Sequence, residues 1–201
     1  MAATSFIRSL FSTPSPKYDD FLVGNAAYNP SSFESIATAT GTGSSGTITF
    51  SSIPSTYQHL QIRYIGRSDA AAVDRTITMR FNSDSGSNYA YHHLYGNGST
   101  VTANGTSTTG VLIRSVTAAS AAANVMGVGV IDIHDYASTT KNKTSRILSG
   151  LDGNTASTDY QIVLTSGLWI NTSAINSITL IPSTGNWTTT STFALYGIKG
   201  A

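Results

Sequence analysis

Two short stretches of the chain hold residue types that are capable of acid–base or metal chemistry. One is the pair His92 and His93, and the other is IDIHDY, which contains Asp132, His134 and Asp135. Neighbouring residues of a strand point to opposite faces, so His92 and His93 cannot bind one metal ion together. Asp132 and His134 share a face opposite two isoleucines, an alternation typical of a polar, solvent-facing stripe. We therefore predict neither a catalytic nor a metal site at these residues.

Other chemical motifs are weak in this sequence. Nine Asp and a single Glu, Glu34, offer no recognisable pair of carboxylates for glycoside hydrolysis. The loop 82–88 places polar side chains around Gly86 and is weakly similar to a calcium loop, but it lacks the terminal glutamate, and we interpret it as a turn. No phosphate-binding loop, nucleophile elbow or zinc-binding helix motif occurs. The sequence thus predicts no enzyme, no cofactor and no metal.

Four aromatic residues are candidates for contact with a ligand or another subunit: Tyr89, Tyr91, Tyr95 and Trp187. The tyrosines are an even number of residues apart and so share one face of a strand, whereas Trp187 lies in the turn TGNWTT. Tyr and Trp side chains in such places stack on sugar rings or anchor interfaces. A tyrosine row also packs against neighbouring strands or subunits, which is the more common arrangement. Both interpretations stay open.

The composition favours strands as the elements that position these side chains. Ile, Val and Thr number 55 against 11 Leu, and only 10% of the residues are charged. β-Branched residues favour strands and strong helix formers are scarce, which excludes a helical bundle. The net charge is +1 with no basic run, which argues against nucleic-acid binding. No apolar segment reaches the roughly 18 residues of a membrane span, and the chain has no Cys.

From residue 33 onward the apolar residues alternate as in half-buried strands. About ten such segments follow one another: GTITFSSI, HLQIRYI, VDRTITMRF, YAYHHLY, GVLIRSV, NVMGVGVIDIH, TSRILSGL, YQIVLTSGLWI, INSITLIP and TFALYGIK. Turn residues separate them, including the Asn-Gly pairs at 97–98 and 104–105. The segment TAASAAAN, 117–124, is interpreted as a crossover loop. The pattern predicts an all-β domain over 33–201, an antiparallel, jelly-roll-like β-sandwich.

Residues 1–32 differ from the rest of the chain. They hold three of the five Pro and no alternating pattern, which predicts an extended N-terminal arm. Apolar and aromatic residues cluster in this arm, and a free tail has no reason to keep them. We therefore expect an anchoring arm that docks on a partner, the alternative being a frayed terminus. The predicted docking residues are Phe6, Ile7, Leu10, Phe11, Tyr18, Phe21 and Leu22.

Several blocks of the domain, taken in order, resemble a known group of proteins. The blocks are FESIATAT, SSIPSTYQHLQIRYIGRS, MRFNSDSGSNYAYHHLYG, VIDIHDYASTTKNKT, SGLW, INSITLIPSTGNW and FALYGIKGA. They are similar to blocks of the small virion-associated structural proteins of tailed bacteriophages. The resemblance implies a β-sandwich module fixed to a tail, neck or head, and it does not cover the first 32 residues.

Two hypotheses about function follow. The first is a virion structural protein, a fibre, neck or capsid-decoration module that its arm docks to other virion proteins. We then expect the protein in the virion, which is assembled in the host cytoplasm. The alternative is a receptor-binding adhesin that recognises host surface glycans through Trp187 and Tyr95. We expect a homo-oligomer, a trimer, with the stretch 127–130 at its interface because glycines there allow close backbone approach. Nucleic acid and membrane are not expected as partners.

Overall fold

The computed structural model describes residues 32–153 and 160–200. The chain divides between Ser32 and Phe33 into two units, and the second unit is a domain built from strands. These are β1 (Phe33–Thr40), β2 (Ile48–Phe50), β3 (His59–Gly66), β4 (Asp74–Phe81), β5 (Tyr89–Gly96), β6 (Val101–Thr108), β7 (Val111–Thr117), β8 (Gly127–His134), β9 (Lys143–Asp152), β10 (Tyr160–Trp169), β11 (Ile178–Pro182) and β12 (Thr192–Ile198). None of the described residues is helical.

The strands form two antiparallel sheets that pack face to face. The larger sheet has eight strands in the order β1-β12-β3-β8-β9-β10-β5-β6, and the smaller has four in the order β2-β11-β4-β7. Most connections carry the chain from one sheet to the other, as in a jelly roll. The predicted antiparallel β-sandwich is therefore confirmed.

Alternation along each strand decides which side chains fill the core. In β3, Leu60, Ile62 and Tyr64 are buried, whereas Arg63 and Ile65 are exposed. The inward side chains of both sheets form one hydrophobic core. Its largest fully buried aromatic members are Trp169, Trp187, Tyr89, Tyr136, Phe81 and Phe193. Burying each large apolar side chain contributes about 1.5–3 kcal/mol, so this core holds the two sheets together.

Two strands, β1 and β6, lie outside the segments that the alternation predicted. They are the two edges of the larger sheet. Neither strand has a buried residue, so neither carries the apolar row by which a strand is recognised in sequence. Backbone pairing places β1 against β12 and β6 against β5, and Ile36, Ala37 and Ala39 of β1 also pack against the core.

The two Asn-Gly pairs have different outcomes. Asn97 and Gly98 form the predicted turn between β5 and β6, with Gly98 at a φ of 83° and the Asn97 side chain accepting a hydrogen bond from the Thr100 N–H at 2.8 Å. The turn predicted at Asn104 and Gly105 is wrong. These residues lie within β6, opposite β5, because the strand continues through them in extended conformation.

The alanine-rich segment between β7 and β8 is a loop, as predicted. One side chain organises it. The Arg67 guanidinium donates hydrogen bonds to the carbonyl oxygens of Ala119, Ala121, Ala122 and Val125 at distances from 2.8 to 3.4 Å. The loop is therefore held by a charged donor together with the burial of Ala118 and Ala121.

Candidate interaction surfaces

The outer face of the larger sheet presents three parallel rows of side chains that cross its strands. Each row consists of residues that the strand register places side by side. The first row is Ile65, Val128, Gly150, Ile162, Gly96 and Val101. The second row is Arg63, Val130, Leu148, Leu164, Leu94 and Ala103. The third row is Gln61, Asp132, Arg146, Ser166, His92 and Gly105. We call the first two rows the apolar strip.

The apolar strip is open to solvent. Its most exposed large side chains are Ile65 at 49%, Val128 at 48%, Ile162 at 65%, Val101 at 74%, Leu148 at 53%, Leu164 at 50% and Leu94 at 49%. The strip crosses the neighbouring strands from β3 to β6, which at about 4.8 Å per strand makes it ~24 Å long. Large contiguous apolar patches mark interaction sites on soluble proteins.

Two glycines interrupt the first row of the strip. Gly150 lies between Val128 and Ile162, and Gly96 lies between Ile162 and Val101. A hollow of about 400 Å³ opens at Gly150. Its apolar lining includes Val128, Val130, Leu148 and Ile162. At Gly96, an added Cβ atom would lie 3.9 Å from its nearest neighbours, so this glycine leaves room on the surface. At Gly150, a Cβ atom would lie 2.9 Å from the Gln161 carbonyl oxygen, so a side chain there would need the backbone to shift.

The third row borders the strip with paired polar groups. Gln61 Nε2 donates to Asp132 Oδ1 at 2.8 Å, and Arg63 Nε donates to Gln61 Oε1 at 2.9 Å. Arg146 lies 3.8 Å from the Asp132 carboxylate. The Arg63 guanidinium stands 5.8 Å from the centre of the Tyr196 ring on β12. Its charge is therefore directed away from the apolar strip.

The segment IDIHDY runs along this outer face to the end of β8. Asp132 and His134 are half-exposed, as the predicted polar stripe requires. The ring of His134 contacts that of His59 edge-on, with centroids 5.2 Å apart. Asp135 accepts a hydrogen bond from Lys141 Nζ at 2.7 Å. That bond, together with the nearby charges of Lys141 and His59, holds the pKa of the Asp135 carboxyl below its usual range.

The three tyrosines of β5 share one face of the strand, as predicted, and the structure shows that this is the inner face of the sheet. Tyr89 is fully buried and its ring stacks on Trp169 at 6.1 Å. Tyr91 is 9% exposed, and Tyr95 is half-buried with the Arg114 guanidinium 4.5 Å above its ring. Contact of Tyr89 with a ligand or another subunit is therefore wrong as a prediction, because the side chain reaches no surface.

Trp187 also lies in the core. Its indole is fully buried, meets the Phe193 ring edge-on at 4.8 Å and donates from Nε1 to the Leu180 carbonyl at 3.3 Å. Glycan contact through Trp187 is therefore wrong as a prediction. The turn that contains it forms a backbone bridge to Ser68, and the indole points into the sandwich while its polar neighbours face solvent.

A group of polar side chains lies inside the sandwich beside the tyrosines. His93 is 5% exposed, stacks on Tyr91 with ring centroids 5.4 Å apart, and is paired with Thr165 on β10. Neither nitrogen of His93 has a hydrogen-bond partner among the described residues, nor do Thr165 Oγ1 and Arg114 Nε. Burial, and to a smaller extent the charge of Arg114, lowers the pKa of His93. His92 is exposed on the opposite face, as predicted.

The glycines of the stretch 127–130 face inward. A Cβ on Gly127 would lie 2.5 Å from a carbonyl oxygen of β7, and one on Gly129 would lie 2.5 Å from the Tyr64 ring. These glycines permit close packing within one chain, so the close backbone approach between subunits that was predicted at them is wrong. An interface at the stretch 127–130 stays a prediction. The two valines of the stretch face outward and belong to the apolar strip.

The loop 82–88 is a turn, as interpreted from the sequence. The Asp84 carboxylate accepts hydrogen bonds from the Asn88 side chain at 2.9 Å, from Trp169 Nε1 at 2.8 Å and from the Gly86 N–H at 2.8 Å. These three donors hold the pKa of Asp84 below its usual range. Within the part of the chain that the structure describes, no group of three or more His, Cys, Asp or Glu could hold a metal ion.

The predicted docking residues of the N-terminal arm, Phe6, Ile7, Leu10, Phe11, Tyr18, Phe21 and Leu22, lie outside the described residues. Between residues 32 and 153 and between 160 and 200, no helix is long and apolar enough to cross a membrane. Comparison of the chain with known protein families, with curated proteins and with solved structures found no match.

Proposed function

We propose that this chain is a structural protein of a tailed bacteriophage virion, a fibre, neck or capsid-decoration module attached by its N-terminal arm. The observation that carries the proposal is the apolar strip, a broad contact surface on a well-packed domain. Modules repeated in a large assembly need such contact faces, and many copies allow weak contacts to act together. The blocks that resemble phage virion proteins indicate the kind of assembly.

Those blocks contain the residues that hold the domain together. The block around the loop 82–88 includes Asp84, whose carboxylate gathers three donors, and the block INSITLIPSTGNW ends with the buried Trp187. The resemblance therefore concerns the residues that build the sandwich. This supports a shared role as a structural module more than a shared ligand.

Gold-labelled antibodies against residues 33–201 test the proposal on intact particles of the phage that encodes the chain. Label over the whole head would identify a decoration protein. Label confined to the tail or neck would identify a fibre or an adaptor. Purified particles that carry no label and lack the chain by mass spectrometry would contradict the proposal.

Deletion of residues 1–32 tests the role of the arm. We expect the remaining domain to keep its β-sheet circular dichroism, because its core is formed by residues after Phe33, and to be lost from particles. A full-length variant with Ser9→Ala and Ser12→Ala, which keeps the apolar residues of the arm, is the matched control. Incorporation of the deleted protein at the level of the control would show that the arm is not the anchor.

The adhesin alternative stays a prediction with fewer residues to support it. Trp187 is buried and the Arg114 guanidinium covers the ring of Tyr95, so no described aromatic of the original set offers an open stacking face. Specific binding of the purified chain on a glycan array would favour it.

A further inference from the structure

We propose that two copies of this chain associate through their apolar strips, outer face against outer face, about a two-fold axis. In this arrangement Leu148 and Leu94 of each copy fill the gaps at Gly150 and Gly96 of the other. The inference rests on the geometry of the sheet, goes beyond the virion role and does not depend on it.

Each gap in the strip is matched by a leucine on the same strand. On β9, Gly150 occupies the first row and Leu148 the second. On β5, Gly96 occupies the first row and Leu94 the second. The two leucines are about half exposed, at 53% and 49%. The strip therefore has an exposed leucine at the same spacing as each glycine gap, which allows it to pack against its own copy.

The two copies are related by a two-fold axis that runs parallel to the rows, midway between the first row and the second. It places the first row of one copy over the second row of the other and sets each strand opposite its own counterpart. Leu148 then faces the hollow at Gly150, and Leu94 faces Gly96. Because the interface is isologous, each of these contacts occurs twice.

The surroundings of the strip are compatible with this packing. Arg63 is the one charged member of the two rows, and its guanidinium is engaged by Gln61 and directed toward Tyr196, which leaves its aliphatic stem beside the strip. The third row lies outside the apolar contact and forms a polar rim. An apolar centre with a polar rim is the usual anatomy of a protein interface.

The available area suits a stable dimer. The apolar strip itself, six strands by two rows, covers roughly 29 by 13 Å, or about 380 Å². The whole eight-stranded face, which includes the polar rim, covers roughly 34 by 26 Å, or about 900 Å². A standard interface buries about 800 Å² on each partner.

Analytical ultracentrifugation of the full chain tests the proposal. We expect the wild-type protein to sediment with twice the 21.0 kDa mass of one chain. Gly96→Leu fills a recess that has room for the side chain within one copy, and Leu164→Glu places a charge in the middle of the strip. Each change should weaken dimerisation at least tenfold.

Ser166→Glu is the matched control, because it adds the same charge on the same strand and face but in the polar row, beside Arg146. It should leave the dimer intact. Circular dichroism of every variant establishes that the domain is folded. A wild-type mass of one or three chains would overturn the proposal, as would folded Gly96→Leu and Leu164→Glu variants that dimerise like wild type.

Discussion

Lys143 shows how a single buried charge is accommodated in this fold. Its side chain is 1% exposed at the start of β9, and Nζ donates to the carbonyl oxygens of Lys141 at 2.7 Å and Thr172 at 3.0 Å. Burial lowers the pKa of Lys143, and the charge of Asp135 partly opposes this effect. The ammonium thus ties the loop before β9 to the loop after β10.

We expect Lys143→Met to destabilise the domain by about 1–3 kcal/mol, because two carbonyl oxygens lose a charged donor. Lys141→Met is the matched control. Its side chain is 64% exposed and pairs with Asp135 at the surface, so the loss should be below about 1 kcal/mol. Urea unfolding of the two variants measures the difference in their free energy of unfolding. Equal losses of stability would show that the buried Lys143 ammonium does not stabilise the domain more than the exposed Lys141 does.

His93 should make stability depend on pH. Its pKa in the folded domain lies below the ordinary 6.5, so on acidification the unfolded chain takes up a proton before the folded one does. The stability that the neutral His93 contributes to the folded domain is fully present above about pH 6.5. It is lost as the pH falls through the pKa of His93 in the folded state. His93→Gln should therefore lose less stability than wild type between pH 7.5 and pH 5.5.

Thermal melts at both pH values measure this effect, and His92→Gln is the matched control because that side chain faces solvent on the same strand. The control should follow the wild-type pH dependence. If His93→Gln also follows it, then the buried imidazole does not titrate differently from that of the unfolded chain.

Among the elements, the sequence predicted the strands that bury an apolar row and not the two that lack one. Alternation identified β3, β4 and β9, whose inward positions are buried. The edge strands β1 and β6 have no fully buried residue, and pairing with a neighbouring strand places them in the sheet. The turn that the sequence predicted at Asn104 and Gly105 fails for the same reason. Pairing of β6 with β5 overrides the local turn preference of these two residues.

The loop between β7 and β8 should become less stable when Arg67, its central hydrogen-bond donor, is replaced. We expect Arg67→Lys to speed amide hydrogen exchange in residues 118–126 at least tenfold, because a single ammonium cannot replace a planar fork that serves four carbonyl oxygens. Arg80→Lys, which loses a bond to Thr109 elsewhere on the surface, should leave exchange in this loop unchanged. Equal amide exchange rates in this loop for both variants would mean that the loop keeps its structure without the Arg67 guanidinium.

At the scale of the whole molecule, the apolar strip could not be predicted from the sequence. Its members lie on strands that are adjacent in the sheet but separated in the chain, in the order β3-β8-β9-β10-β5-β6. An outward residue such as Leu148 or Leu164 is chemically the same as an inward one, and its face is known only once the register is fixed. Fold class follows from local alternation, whereas this surface follows from sheet order.

The last strand should be essential for the whole domain. β12 lies between β1 and β3 and contributes the fully buried Phe193 and Leu195. We expect a chain that ends at Ser191 to lose its cooperative thermal transition, because both neighbours of β12 become unpaired and the core loses two large side chains. A chain that ends at Ile198 should melt cooperatively like the full protein, and a cooperative transition in the shorter chain would contradict the prediction.

The pairing of β1 with β12 also sets when this protein can fold in the cell. The two strands are separated by roughly 150 residues, which a ribosome adds in about 8–30 s at 5–20 residues per second. During that time β1 leaves the ribosome without its partner, and its backbone groups remain open to other nascent chains on the same message. The β1–β12 pair can therefore form only once residues 192–198 have been made, and exchange of β1 between neighbouring polypeptides is the misfolding route that this topology favours.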